Sequence, residues 1–290
     1  MSNKAVIYAV INRKGGTGKT TSSVNLADGL NRRAHQSGAG GDFNVLIIDL
    51  DPQGHTAKAL NVDPQGKCVS QVLVGGANIR DVIVSASTPE HKRPGLWVIP
   101  ASDELAAAKQ ILIGDDAMEV FKQFQKSGGK AQLNISPKIN TILRRYLEPL
   151  RNVFQYIILD CPPTLDSLQT AVYDYADHVI VPVKTDFLAV AGTLQHTQNI
   201  LDEQTDGIDI KIRGIIPTFV DTRSGQTKRV LQTLVKTYGR SRILQPVPHT
   251  VKLAEAPEFG MTIFEYADST GDKYAHTAAT AYGRIVEAIA

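Results

Sequence analysis

Lys14-Gly15-Gly16-Thr17-Gly18-Lys19-Thr20-Thr21 is the stretch on which the reading of this chain turns. It follows the apolar run Ala5-Val6-Ile7-Tyr8-Ala9-Val10-Ile11 and opens a segment of helical character from about Lys19 to Arg33. Apolar strand, glycine-rich turn and helix, in that order, are the setting of a phosphate-binding loop. The glycines let successive backbone N–H groups turn around an anion, and the helix N-terminus adds partial positive charge. Residues Gly15 to Thr21 are therefore the candidate nucleotide contacts, with Lys19 reaching the β- and γ-phosphates and the Thr20 hydroxyl holding Mg²⁺.

The strict Walker spacing asks for a glycine six residues before Lys19, and Arg13 stands there. The chain offers a second lysine instead, Lys14, at the mouth of the loop. A lysine at that point is poorly placed to hold its own nucleotide but can reach across to one on another subunit.

With 42% hydrophobic and 21% charged residues over 290 positions, the composition is that of a soluble globular protein. No uninterrupted apolar run approaches the ~20 residues of a membrane span. Met1-Ser2-Asn3-Lys4 runs straight into a strand, which leaves no room for a signal peptide. Two cysteines, Cys68 and Cys161, are too few for a disulfide framework or a metal cluster, and suit a reducing cytosol.

The net charge of +2 hides an asymmetry. Between Lys211 and Lys252 stand nine basic residues and one acid, Asp221, which leaves 22 basic against 28 acidic residues elsewhere. A polarised molecule of this kind suits a polyanion at its positive end. The nine, Lys211, Arg213, Arg223, Lys228, Arg229, Lys236, Arg240, Arg242 and Lys252, are the candidate DNA contacts at this stage.

Two further motifs lie at the ends of apolar runs. Phe43 to Ile48 leads into Asp49-Leu50-Asp51-Pro52-Gln53-Gly54, and Tyr156-Ile157-Ile158-Leu159 into Asp160-Cys161-Pro162-Pro163. Acids at the C-terminal ends of strands sit where open α/β sheets place their ligands. Asp49 and Asp51 suggest a magnesium shell or a water-orienting base, and Asp160 a magnesium site residue. Further strands are expected at 96–99, 179–183 and 212–217. Helices are expected after Ser102, around 117–125, over Ile139–Val153, over about 186–203, over 226–238 and over 272–289. Strands alternate with helices and no linker divides them. The pattern predicts an α/β fold with one doubly wound, mostly parallel sheet and helices on both faces, over a single domain spanning 1–290.

With these three motifs in this order, the chain resembles the ParA/Soj family of deviant-Walker ATPases, the MinD/ParA-type partition ATPases. Val247-Pro248-His249-Thr250-Val251-Lys252-Leu253-Ala254-Glu255-Ala256-Pro257 is similar to that family's motif before its last helix. The resemblance covers nearly the whole chain. Two stretches, 37–42 and roughly 114–137, look like insertions.

The resemblance implies ATP and Mg²⁺ as cofactors and an ATP-bound sandwich homodimer. In that dimer Lys14 contacts the partner's nucleotide, Lys19 the phosphates and Thr20 the metal. Asp51 positions the attacking water, Asp49 and Asp160 are outer magnesium-site residues, and the loops at Thr218–Asp221 and Pro248 border the adenine. Arg223 and Lys252 match DNA-binding positions, while His249 stands where relatives often carry an arginine. The implied activity is slow ATP hydrolysis, stimulated by a ParB-like adaptor, in a cytoplasmic, nucleoid-associated protein that binds non-specific DNA and no membrane.

Three rivals compete with that reading. A MinD-like membrane ATPase would end in a basic amphipathic helix, and the last ten residues hold one arginine. A nitrogenase-type reductase needs cluster cysteines beyond Cys68 and Cys161. A DNA-coating scaffold would use ATP as a switch and hardly hydrolyse it.

Overall fold

The computed structural model describes residues 4–38, 44–126, 138–164, 168–205 and 207–290. In chain order the strands are β1 (Val6–Val10), β2 (Val45–Asp49), β3 (Val84–Ser85), β4 (Leu96–Ile99), β5 (Tyr156–Asp160), β6 (His178–Lys184) and β7 (Lys211–Thr218). The α-helices are α1 (Lys19–Gln36), α2 (His55–Ala59), α3 (Ser70–Leu73), α4 (Glu104–Lys126), α5 (Ile142–Leu147) and α6 (Gln169–Tyr175). They continue as α7 (Phe187–Thr205), α8 (Gly225–Tyr238), α9 (Lys252–Glu258), α10 (Ile263–Thr270) and α11 (Lys273–Ile289). One sheet of seven strands runs in the order β3-β4-β2-β5-β1-β6-β7. Every pairing in it is parallel except that of the two-residue edge strand β3 with β4.

Side chains of the central strands alternate between two cores, as the pleat requires. Ile7, Ala9 and Ile11 go to one face with Leu46, Ile48, Ile157 and Leu159, under α3 to α8. Tyr8, Val10, Val45, Ile47 and Ile158 go to the other, under α1, α2 and α9 to α11. Strands buried on both faces are nearly all apolar, which is why these runs are uninterrupted in the sequence.

The segment between β4 and β5 departs from expectation. One helix, α4, replaces the two expected around Ser102–Leu112 and 117–125, passing through Gly114 at a cost of about 1 kcal/mol relative to alanine. The acids after Gly114 do not break the helix. Asp116 accepts the backbone N–H groups of Lys138 and Ile139, each at 2.9 Å, and so fastens the start of the next segment. The helix expected over Ile139–Val153 is instead a 3₁₀ turn, the short α5, and a second 3₁₀ turn over Glu148–Asn152. Pro149, in the first turn of that second 3₁₀ segment, marks the break, since it has no N–H to donate back to the α5 carbonyls. Residues 39–42 and 127–137 of the expected insertions lie outside the described residues.

The turns around the second core are locked by Arg93, which is 2% exposed. Its guanidinium donates to Glu265 through Nε and Nη2, each at 2.8 Å, and to the carbonyls of Leu60, Ala86 and Gly260. It thereby joins the end of α2, the edge strand and the α9–α10 turn. Removing one side of a buried ion pair strands the other, at about 3–5 kcal/mol. Arg93→Ala is expected to destabilise the protein by that amount, read as a lower urea midpoint. A midpoint unchanged from the parent would refute the locking role.

Candidate active site

The parallel register assembles the site. Asp160 lies opposite Val10 on one ladder and opposite Asp49 on the other, so the end of β1 and both acids share one edge of the sheet. The chain leaves β1 through Asn12, a buried residue. Its Nδ2 donates to the Pro182 carbonyl at 2.8 Å and its Oδ1 accepts the Lys14 N–H at 3.0 Å. That staple sets the loop over which Gly16 and Gly18 take φ of +67° and +85°. A Cβ at Gly15 or Gly16 would meet no atom within 4 Å, so the space beside these two residues is open. The Thr218 hydroxyl donates to the Thr17 carbonyl at 2.9 Å, tying the β7 exit to the loop.

Lys19 opens α1 and is 8% exposed, with Nζ donating to the Lys14 carbonyl at 3.1 Å. Burial pulls its pKa below the ordinary lysine value, against the opposing pull of Asp160 and other anions. Asp160 is fully enclosed and accepts from Ser23 Oγ at 2.8 Å, Thr56 Oγ1 at 3.1 Å and the Thr20 hydroxyl. Asp49 is equally enclosed, and its two oxygens accept the N–H groups of Asp51 at 2.9 Å and Thr56 at 3.0 Å. Burial raises the pKa of both carboxyls, and the Asp160 charge adds to the rise at Asp49. Two acids that cannot comfortably ionise together are relieved by a cation alongside. The donor set therefore fits Mg²⁺: Thr20 would be a direct ligand, its hydroxyl held from behind by Asp160. Asp49 serves at one remove, as the anchor of the turn that carries Asp51.

That turn leaves Asp51 partly exposed, with Oδ1 accepting the Gln53 N–H at 3.0 Å. Gly54 closes it at φ +60°, and a Cβ there would come within 2.5 Å of the Ala101 carbonyl oxygen. Only glycine fits. Beside Asp51 is a cavity of 380 Å³ bounded by Pro162, Pro163, Lys109 and Gln110. Lys109, buried on α4, lines this cavity although nothing in its local sequence marks it. Cys161 is buried, and its thiol pKa is driven up first by burial and then by Asp160, which suits a packing residue.

At the mouth of the loop, Lys14 Nζ donates to Asp186 Oδ1 at 3.0 Å, and Lys184 stands 3.8 Å from the other oxygen. Both side chains of the Lys14–Asp186 pair are about one-third exposed, and such a pair contributes about 0–1 kcal/mol. Lys14 is thus held at the loop mouth by a pair weak enough to be exchanged for phosphate oxygens.

A recess of 230 Å³ opens beside Gly18, lined by Thr218, Phe219, Pro248, His249 and Tyr282. Phe219 holds φ of +54°, unusual for a bulky residue and a form of strain found at functional sites. Its ring lies 5.8 Å from that of His249 and 5.5 Å from Lys184 Nζ. Thr218 and Pro248 both line this recess. Asp221 is not brought into this recess; it accepts from Arg223 Nε at 3.0 Å and Nη2 at 3.1 Å. The positive stretch is also divided. β7, about 25 Å long by its strand rise, carries Lys211 to the far edge of the sheet, while Arg223 and Lys252 lie at the loop edge. Lys228 and Arg229 are exposed on α8.

Fold and site together define a phosphate-loop nucleotide-binding α/β protein with a second lysine at the loop mouth. The AAA domain family matches residues 5–212. The sporulation initiation inhibitor protein Soj of Bacillus subtilis is 33% identical over 264 residues, covering 90% of each chain. The chromosome partitioning protein ParA of Myxococcus xanthus is 31% identical over 264 residues, covering 90% of this chain and 81% of its own. Among solved structures, cobyrinic acid a,c-diamide synthase from Mycobacterium smegmatis with bound ATP analog and magnesium is 28% identical, with a TM-score of 0.67 over 93% of this chain and 98% of that one. The chain belongs to the ParA/Soj family of deviant-Walker partition ATPases, with ATP and Mg²⁺ as its cofactors.

Proposed function

We propose that this protein is a DNA-partition ATPase, one domain over 1–290, whose ATP-bound homodimer holds duplex DNA without sequence preference and releases it after hydrolysis. The observation that carries the reading is the orientation of Lys14. Its ammonium is taken by Asp186 while its carbonyl is taken by Lys19, so Lys19 serves the protomer's own triphosphate and Lys14 exchanges its weak pair for a twin's. Thr20 would hold Mg²⁺ with Asp160 behind its hydroxyl, and the ion would supply neutralisation of phosphate charge. Asp51 orients the attacking water, and its turn is anchored to Asp49 and, through Thr56, to Asp160. Loss of the γ-phosphate then reaches the Asp51 turn through hydrogen bonds already in place. Phe219, Thr218 and Pro248 receive the base.

Dimerisation doubles the phosphate contacts of the basic face, and each contact releases counterions. A ParB-like adaptor stimulates turnover, and the protein works on the nucleoid. No helix among the described residues is long and apolar enough to cross a membrane. The test is a DNA titration with ATP, ADP and no nucleotide, with light scattering to count subunits. DNA retention and a two-chain mass are expected with ATP alone. Arg223→Ala should weaken retention and flatten the slope of log affinity against log salt by about 0.9 per protomer. An unaltered slope would place the DNA elsewhere.

A further inference from the structure

The two basic residues best matched to DNA contacts are already partnered within the chain. Arg223 is bound by Asp221 through two hydrogen bonds, and Lys252 Nζ donates to Glu255 at 2.7 Å. Each of these pairs is close to neutral seen from a distance. The uncompensated charge lies beside them, on a groove of 610 Å³ between α8 and α11. Its floor is Val220, Pro246 and Pro248, one wall is Leu231 of α8, and no carboxylate lines it. The other wall is the outer stripe of α11: Lys273, His276, Thr277, Thr280 and Arg284, all exposed and all on one face at helical spacing. Among the described residues no acid lies within 4.0 Å of the Lys273 or Arg284 side-chain nitrogens, nor of those of Lys228, one turn before Leu231 on α8.

Resting on the reading above that the ATP-bound dimer holds DNA, we infer that this groove is a second phosphate-backbone track, in which Lys273 and Arg284 clamp the duplex alongside Arg223. The stripe rises about 16 Å from Lys273 to Arg284 at 1.5 Å per residue, which spans two to three phosphates of one strand. The small Thr277 and Thr280 between the cations keep the wall low enough for a rod of backbone to approach. Thr222, next to Arg223, also lines the groove, so the two basic elements are continuous. A lipid surface is disfavoured because Tyr274 is the one large apolar side chain exposed on α11 among the described residues, too little for an inserting stripe.

The experiment measures fluorescence anisotropy of a labelled duplex with full-length protein, ATP and Mg²⁺, over a salt series, for the parent, K273A/R284A and K273R/R284K. Binding to vesicles containing phosphatidylserine is measured in parallel. The expected result is that K273A/R284A lowers the magnitude of the log–log salt slope by about 1.8 per protomer, two contacts at 0.9 each, while K273R/R284K keeps the parent slope. Both sites are exposed, and a melting curve for each variant separates lost binding from lost fold. If K273A/R284A keeps the parent slope while Arg223→Ala lowers it, the groove assignment is overturned and the DNA reading stands. Absence of duplex binding by the parent in every nucleotide state overturns both. Should the parent bind vesicles rather than duplex, and the alanine pair abolish that, the surface is a lipid contact and the DNA track is wrong.

Discussion

Lys19→Ala is expected to remove ATP binding. The ammonium is nearly enclosed, already carries a desolvation cost that lowers its pKa, and lies among Asp160, Asp51 and the loop carbonyls. Truncating one partner of a buried charge contact costs about 2–5 kcal/mol, here roughly a 30-fold to several-thousand-fold loss of affinity. The readout is the ATP-induced rise in melting temperature, which follows from the ratio of ligand to Kd and should vanish. The ligand-free protein is not expected to melt lower, because the variant removes a cation that burial disfavours. That second result separates a lost phosphate contact from a lost fold. An ATP-induced rise equal to the parent's would refute the loop assignment.

Asp51→Ala should behave in the opposite way, keeping ATP affinity and ATP-dependent dimerisation while stopping turnover. The carboxylate is partly exposed and held by a single backbone N–H, so the fold loses little with it. The loss of a positioned base lowers kcat by about 10²–10⁴. Duplex retention with ATP should lengthen correspondingly, since release follows hydrolysis in the proposed cycle. Single-turnover hydrolysis measured with saturating Mg²⁺ checks it, and a rate within twofold of the parent would take the role away from Asp51. Together the two variants divide the site. The expected split is Lys19 on binding and Asp51 on the chemical step.

Much of this site is legible in the chain because its determinants are local. A strand, three glycines, a lysine and a helix start are contiguous, and the energetics of an anion at that turn depend on neighbours within ten residues. Acids terminating apolar runs are equally local, as are the α8 amphipathic pattern and the N-cap Asp272 of the last helix. The capping box Thr262–Glu265 was also there to be read, and it marks α10, a helix the periodicity alone does not reveal. The continuity of α4 was not legible, because helix propensity at Gly114 argues against it and tertiary packing overrides propensity.

What the sequence by itself determined is the parallel sheet, the phosphate loop and the placement of acids at strand ends, since each follows from the order of residues along a short piece of backbone. Only the tertiary structure decided which side chains those residues meet. Asp186 holds Lys14 across 172 positions, Arg93 reaches Glu265 across 172, and Asp160 gathers Thr56 across 104. Such pairs depend on register and packing, which bring distant residues to one strand edge, and no local pattern encodes the partner. The same reason explains the charge. A run of cations is visible in the chain, but which of them are cancelled by a carboxylate and which line an open groove is a property of the folded surface.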